Sequence, residues 1–245
     1  KAFGGDGTEI LYSFLPTADN GNIISGTSSS GVSGDKTEPL VSFPDIGQDF
    51  WIIKTDSLGE IIWQKSIGAT NLQRNPKIIQ TTDGGYLISG DSNSDIAGNK
   101  TENSYGYSDL WIIRLDSTGN ILWDRTLGGN SYDYYPTAIQ TTDGGFLIGG
   151  TSSSVISGNK TENYVGYGPF VFEPNEDYWI IKLNDSGTIE WQNTIGGNST
   201  DVLRDMLNTP DGGYLLGGIS YSMASGDKTE DSRGFSDYWV VKLDN

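Results

Sequence analysis

Hydrophobic residues come in short blocks bounded by glycine, aspartate and serine, and within a block they follow one another directly, as in Tyr86-Leu87-Ile88 and Trp111-Ile112-Ile113. Successive side chains of a β-strand point to opposite faces, so an apolar block without alternation predicts a strand buried on both sides. One repeating unit reads as four strands, at 137–141 and 146–151 in one copy and at 110–115 and 121–127 in the copy before it. Asp143-Gly144-Gly145 supplies residues that tolerate positive φ between the first two strands, and Asp116-Ser117-Thr118-Gly119 suits a turn with a glycine bulge between the last two. Helix is expected to be nearly absent, because glycine, serine, threonine, asparagine and aromatics displace the good helix formers.

The blocks recur. Asp83-Gly84-Gly85-Tyr86-Leu87-Ile88-Ser89-Gly90 returns at 143–150 and 211–218, with a looser first copy at 19–26. Asp109-Leu110-Trp111-Ile112-Ile113-Arg114-Leu115-Asp116 matches 49–56, 177–184 and 237–244, which spaces Trp51, Trp111, Trp179 and Trp239 by 60, 68 and 60 residues. Gly119-Asn120-Ile121-Leu122-Trp123 recurs at 59–63 and 187–191. A period near sixty marks a unit that cannot hide its own faces and must stack on neighbours. The expected fold is all-β: a β-propeller of four-stranded antiparallel blades, a single repeat domain over 1–245 with modules at about 1–67, 68–127, 128–195 and 196–245. Lys1-Ala2-Phe3-Gly4-Gly5 aligns with Asn193-Thr194-Ile195-Gly196-Gly197, so in a closed ring the N-terminal segment completes the last module. All seven tryptophans are expected in the core, each contributing roughly 4 to 6 kcal/mol by buried area.

Charge and missing residue types narrow the chemistry. A formal charge of −17 repels phosphates, so nucleic acid and anionic membranes are poor partners. With no histidine the commonest general base and every Ser-His-Asp arrangement are excluded, and with no cysteine thiol chemistry is excluded. No apolar run approaches the roughly 18 residues of a membrane-spanning helix.

The combination of Asp-Gly-Gly-Tyr-Leu-Leu-Gly-Gly, Ser-Gly-Asp-Lys-Thr-Glu at 33–38 and 225–230, Asp-Tyr-Trp-Val-Val-Lys-Leu-Asp at 237–244 and Gly-x-Ile-x-Trp-Gln resembles the repeats of large cell-surface and secreted proteins of Bacteroidetes-type bacteria. That resemblance implies a secreted or bacterial cell-surface location. Leu115-Asp116-Ser117-Thr118-Gly119-Asn120-Ile121-Leu122-Trp123 is more distantly similar to the tryptophan-docking pattern of quinoprotein-like propellers, without their paired cysteines.

Three sets of residues are candidates for chemistry. Each copy carries Gly-Asp/Asn-Lys-Thr-Glu between its second and third strands, and Asp35, Glu38, Asp49, Asp227, Glu230 and Asp237 are candidate calcium ligands. The spacing matches no EF-hand or nonapeptide calcium motif and asparagine replaces aspartate in two copies, so a structural turn is the first expectation and calcium the alternative; no cofactor is required. The recurring cation Lys54, Arg114, Lys182 and Lys242 shares a face with apolar neighbours and is expected to form a structural ion pair or to extend its head to solvent. Tyr105, Tyr107, Tyr164, Tyr167 and Phe170 lie in loops that depart from the repeat and are the candidate ligand-binding residues; Tyr132, Tyr134 and Tyr135 are expected to be exposed. The expected function is a non-catalytic extracellular binding or adhesion module for a glycan or protein partner, as a homo-oligomer or as part of a longer repeat chain. The alternatives are a structural spacer and, behind it, a carboxylate- or cation-dependent carbohydrate-active enzyme.

Overall fold

The computed structural model describes residues 1–43, 47–166 and 175–244. Among them are fifteen β-strands and no helix, arranged in four antiparallel sheets. Sheet 1 has the order β1 (Glu9–Pro16), β2 (Asn22–Ser28), β3 (Asp49–Thr55), β4 (Ile61–Ile67). Sheet 2 follows with β5 (Gln73–Gln80), β6 (Tyr86–Ser92), β7 (Asp109–Leu115) and β8 (Ile121–Leu127). Sheet 3 has β9 (Asp133–Gln140), β10 (Phe146–Ser152), β11 (Asp177–Leu183) and β12 (Ile189–Ile195). Sheet 4 has three strands, β13 (Asp201–Asn208), β14 (Tyr214–Ser220) and β15 (Asp237–Leu243). Sequential strands pairing in sequence order in every sheet is an architecture consistent with a propeller. Contacts divide the chain into two compact units, Lys1–Ser104 with Trp111–Thr126, and Tyr105–Leu110 with Leu127–Asn245.

The strands form where the apolar blocks place them, with one extension. β9 starts at Asp133, four residues before the expected 137, because the segment through Tyr135 and Pro136 joins the ladder across a bulge. Proline lacks the donor a ladder needs, and the bulge, with Tyr135 at φ +53°, leaves that position unpaired. At the turn that follows, Thr141 N–H donates to Gly145 O at 3.0 Å around Gly144 at φ +87°, and Gly145 N–H donates to Asp143 Oδ1 at 3.0 Å.

β3, β6, β7, β10 and β11 are buried along their whole length, so the unalternating apolar blocks do report two covered faces. In the first unit Leu15, Ile23, Phe50, Ile52 and Ile67 of sheet 1 meet Ile78, Tyr86, Ile88, Trp111 and Ile113 of sheet 2, with the Phe50 and Trp111 rings 5.4 Å apart. In the second unit Ile139, Leu147, Tyr178, Ile180 and Ile195 of sheet 3 meet Met206, Tyr214, Leu216, Trp239 and Val241 of sheet 4, with Tyr178 and Trp239 5.1 Å apart. The third-strand tryptophans are buried, and the indole N–H groups of Trp51, Trp111 and Trp179 donate to Gln64, Asp124 and Gln192 at 2.9 to 3.0 Å. The expectation of seven core tryptophans is corrected for the fourth strands. Trp63 and Trp123 are half-buried and Trp191 is exposed, because the outermost strand has a neighbour on one side only.

Candidate functional site

The loops between second and third strands are built by a repeated clamp. Asn99 N–H donates to Gly68 O at 2.9 Å while Gly68 N–H donates to Asn99 Oδ1 at 3.1 Å. The same exchange joins Gly4 to Asp35, Gly128 to Asn159 and Gly196 to Asp227. Only an acceptor oxygen is required of the side chain, which explains why aspartate and asparagine interchange here. The glutamate three positions on turns back: Glu38, Glu102 and Glu162 accept the N–H of Ser66, Thr126 and Thr194 at 2.6 to 2.7 Å. The lysine between them is buried, its ammonium on Glu38 O for Lys36 and on Thr194 Oγ1 for Lys160.

The third-strand aspartates close the loop. Asp49 accepts the N–H of Val41 at 2.6 Å and of Ser42 at 3.0 Å, Asp109 that of Tyr105, Asp177 that of Val165 and Asp237 that of Arg233. Asp35, Glu38, Asp49, Asp227 and Asp237 thus hold backbone donors, and Glu230 is exposed. Among the described residues no group of three or more acidic side chains gathers to hold a metal ion, so the calcium candidates have no shared centre there.

The recurring cation finds its carboxylate in the turn before the second strand. Lys54 meets Asp19 at 2.8 Å, Arg114 meets Asp83 at 2.6 Å, Lys182 meets Asp143 at 2.9 Å and Lys242 meets Asp211 at 2.7 Å. The Thr141 hydroxyl first, and the Lys182 ammonium next, hold the Asp143 carboxyl down at about 2. These pairs are structural, as the ion-pair expectation has it.

A different electrostatic group lies at Gly196. The Asp177 carboxyl packs against this glycine so closely that a Cβ there would stand 2.2 Å from its Cγ. Burial pushes Asp177 up to about 8, the Val165 N–H opposes this, and Asp201 adds to it. Burial likewise raises Asp201 and lowers Lys160 to about 8. All three side chains are buried.

What the loops present outward is aromatic. Two residues after the clamped N–H groups of Val41, Tyr105 and Arg233 stands an exposed ring: Phe43 (55 % exposed) in the first unit, Tyr107 (67 %) and Phe235 (87 %) in the second. Tyr107 leans on Tyr132 with centroids 5.1 Å apart, and Phe235 stands edge-on to Tyr221 at 5.4 Å. Gly106 docks on the backbone of Gly129 and Ser131, which turns Tyr105 over Gly158 and Tyr107 toward Tyr132. Tyr105 is therefore partly committed to packing, Tyr164 is half-buried, and Tyr167 and Phe170 lie outside the described residues. Tyr132 and Tyr135 are exposed as expected, while Tyr134 is half-buried with its hydroxyl on Glu176. Phe43 escaped the sequence reading because its loop places it six residues before Asp49, whereas Phe235 stands two before Asp237 as Tyr107 stands two before Asp109 and was legible from that spacing; counting from the clamped residue, an aromatic at the second following position is the signal.

No family model matches the chain. An uncharacterized WD repeat-containing protein of Acanthamoeba polyphaga mimivirus is 22 % identical over 207 residues, covering 73 % of this chain and 15 % of that protein. A solved structure of a protein of unknown function from Bacteroides caccae aligns with 85 % of this chain and 70 % of its own, at 12 % identity and a TM-score of 0.37. With the four sheets described above, the WD-repeat relative supports a propeller-like repeat fold.

Proposed function

We propose that the chain is a propeller-type array whose sheets are blades, and that it acts as a non-catalytic extracellular recognition module. The observation that carries this reading is the exposed loop aromatic, with Tyr107 on Tyr132 and Phe235 on Tyr221 forming ring pairs on a rigid clamp. Tyrosine and phenylalanine offer large contact area at low rotamer cost, which suits the face of a sugar ring or an apolar protein contact. The repeat signature's resemblance to bacterial cell-surface proteins supports the location.

The test is binding on glycan arrays and in pull-downs from outer-surface extracts. Tyr107→Ala and Phe235→Ala should each weaken binding about tenfold, the size of a lost aromatic anchor of about 1.4 kcal/mol. Polysaccharide turnover without retained binding would overturn the reading. A structural spacer is the second reading, favoured by the loop carboxylates being spent on their own backbone. On that reading both variants match the wild type in every binding assay.

A further inference from the structure

The bulge that carries β9 past Pro136 holds a tyrosine in a conformation that tyrosine resists. Tyr135 has φ +53°, in the left-handed region where a bulky side chain is strained, and Pro136 after it favours an extended backbone at that position. The same step of the second copy is Asn75-Pro76, with φ +54° at Asn75, and asparagine visits this region far more readily than tyrosine does. The Asn75 side-chain amide donates to Asp91 Oδ1 at 2.7 Å, so there the bulge closes on itself. Tyr135 instead leaves its ring 41 % exposed. Backbone strain kept without full burial to offset it is a feature of ligand clamps and active sites.

The surroundings hold that ring in place. Tyr134 stands edge-on to it, with centroids 4.7 Å apart and the planes at 79°, and Tyr134 is itself fixed by its hydroxyl, which donates to Glu176. Arg204, on β13, places its guanidinium 5.0 Å from the centre of the Tyr135 ring. Arg204 is the extra residue of a second bulge, between Leu203 and Asp205, and the bulge turns it out of the ladder to an exposed position. The carboxylate next to it in sequence is engaged elsewhere: Asp205 Oδ1 accepts the Thr137 hydroxyl at 3.2 Å and the Met206 N–H at 3.0 Å. Tyr134, Tyr135, Glu176 and Arg204 all belong to the second compact unit.

We infer that Tyr135 and Arg204 form a binding site for a carboxylate-bearing sugar, a uronic acid residue on an otherwise neutral glycan. A guanidinium presents parallel N–H donors that match the two oxygens of a carboxylate, and an aromatic ring against it keeps that fork oriented. The exposed part of the tyrosine supplies apolar surface for the C–H side of a sugar ring and a hydroxyl for its polar groups. The charge of −17 favours a ligand with a single carboxylate over a polyanion, which the surface as a whole repels. This site is distinct from the loop rings Tyr107 and Phe235 and does not depend on them.

The test is titration calorimetry of the 245-residue chain with a xylo-oligosaccharide carrying one glucuronic acid branch and with the same oligosaccharide unbranched. The wild type is expected to bind the branched sugar about tenfold or more tightly than the unbranched one, and Arg204→Gln to cut that preference to about twofold or less. Tyr135→Asn is expected to weaken the branched sugar about tenfold while its melting temperature stays the same or rises, because asparagine relieves the backbone. Tyr107→Ala is expected to bind the branched sugar as the wild type does, and a loss there would assign the sugar to the loop rings and overturn the site. Equal affinity for the two sugars, binding retained by Tyr135→Asn, or a melting temperature several degrees lower in that variant would each overturn it as well. So would binding of a short acidic peptide in place of the branched sugar, or no binding of that sugar at about 10 mM.

Discussion

Each third strand carries one cation, buried at Lys54, Arg114 and Lys182 and exposed at Lys242, and the aspartate that neutralises it also shapes the turn before the second strand. The sequence pointed to an ion pair but not to its partner, because the separations are 35, 31 and 39 residues for Lys54, Arg114 and Lys182 and no fixed spacing marks the couple. Arg114 is buried, so Asp83→Ala leaves a desolvated guanidinium without the carboxylate that neutralises it and should cost about 2 kcal/mol in urea unfolding. Lys242 is exposed, and Asp211→Ala should cost clearly less than Asp83→Ala in the same assay. Equal losses at the two positions would contradict the role of burial. The carboxyl of Asp177 makes a pH prediction of opposite sign to that of Asp143. Its folded value of about 8 lies above the unfolded value of about 4, so the native state holds the proton more tightly and stability falls as pH rises between them. Lys160, Asp201 and Asp227 surround it. Asp177→Asn should therefore raise the melting temperature at pH 8.5 and lose that advantage near pH 4. Asp143, held at about 2, stabilises above pH 4, and that contribution disappears as pH falls through 2.

Among the elements, the turns and the buried strands were legible, and the bulged first strand was not. A run containing Pro136 reads as loop to any rule that counts donors, yet the register shift opposite Gly149 and Thr151 carries the chain past it. The fourth strand was placed correctly at 121–127, but its tryptophan was assigned too deep, since a period-two pattern does not say which strand lies outermost. Glycines divide into two kinds that a single substitution separates. Gly144 has φ +87° and no atom near its missing Cβ, so Gly144→Ala costs only backbone strain, about 1 kcal/mol. Gly68 has ordinary φ, but a Cβ would stand 2.0 Å from Asp49 Oδ1, and Gly68→Ala should cost about 3 kcal/mol or more by displacing the residue that closes the loop. Chemical denaturation ranks the two, and the reverse order would refute the clamp.

At the scale of the molecule, the repeat and the all-β class were readable because period and strand pattern are both local. The site was readable only in part. Tyr107 was visible as a departure from the repeat, while Phe43 and Phe235 are defined by the hydrogen bond that Val41 and Arg233 make to Asp49 and Asp237, eight and four residues on, which the repeat alignment alone does not mark. The glutamates that end each clamp have one more effect. By taking the N–H of Ser66, Thr126 and Thr194, each occupies a donor on an outermost strand that a foreign chain would need as a template for misassembly. Glu102→Ala should leave the melting temperature nearly unchanged yet raise turbidity during long storage at high concentration. The repeat thus carries its own guard against amyloid-like growth in every copy that has four strands.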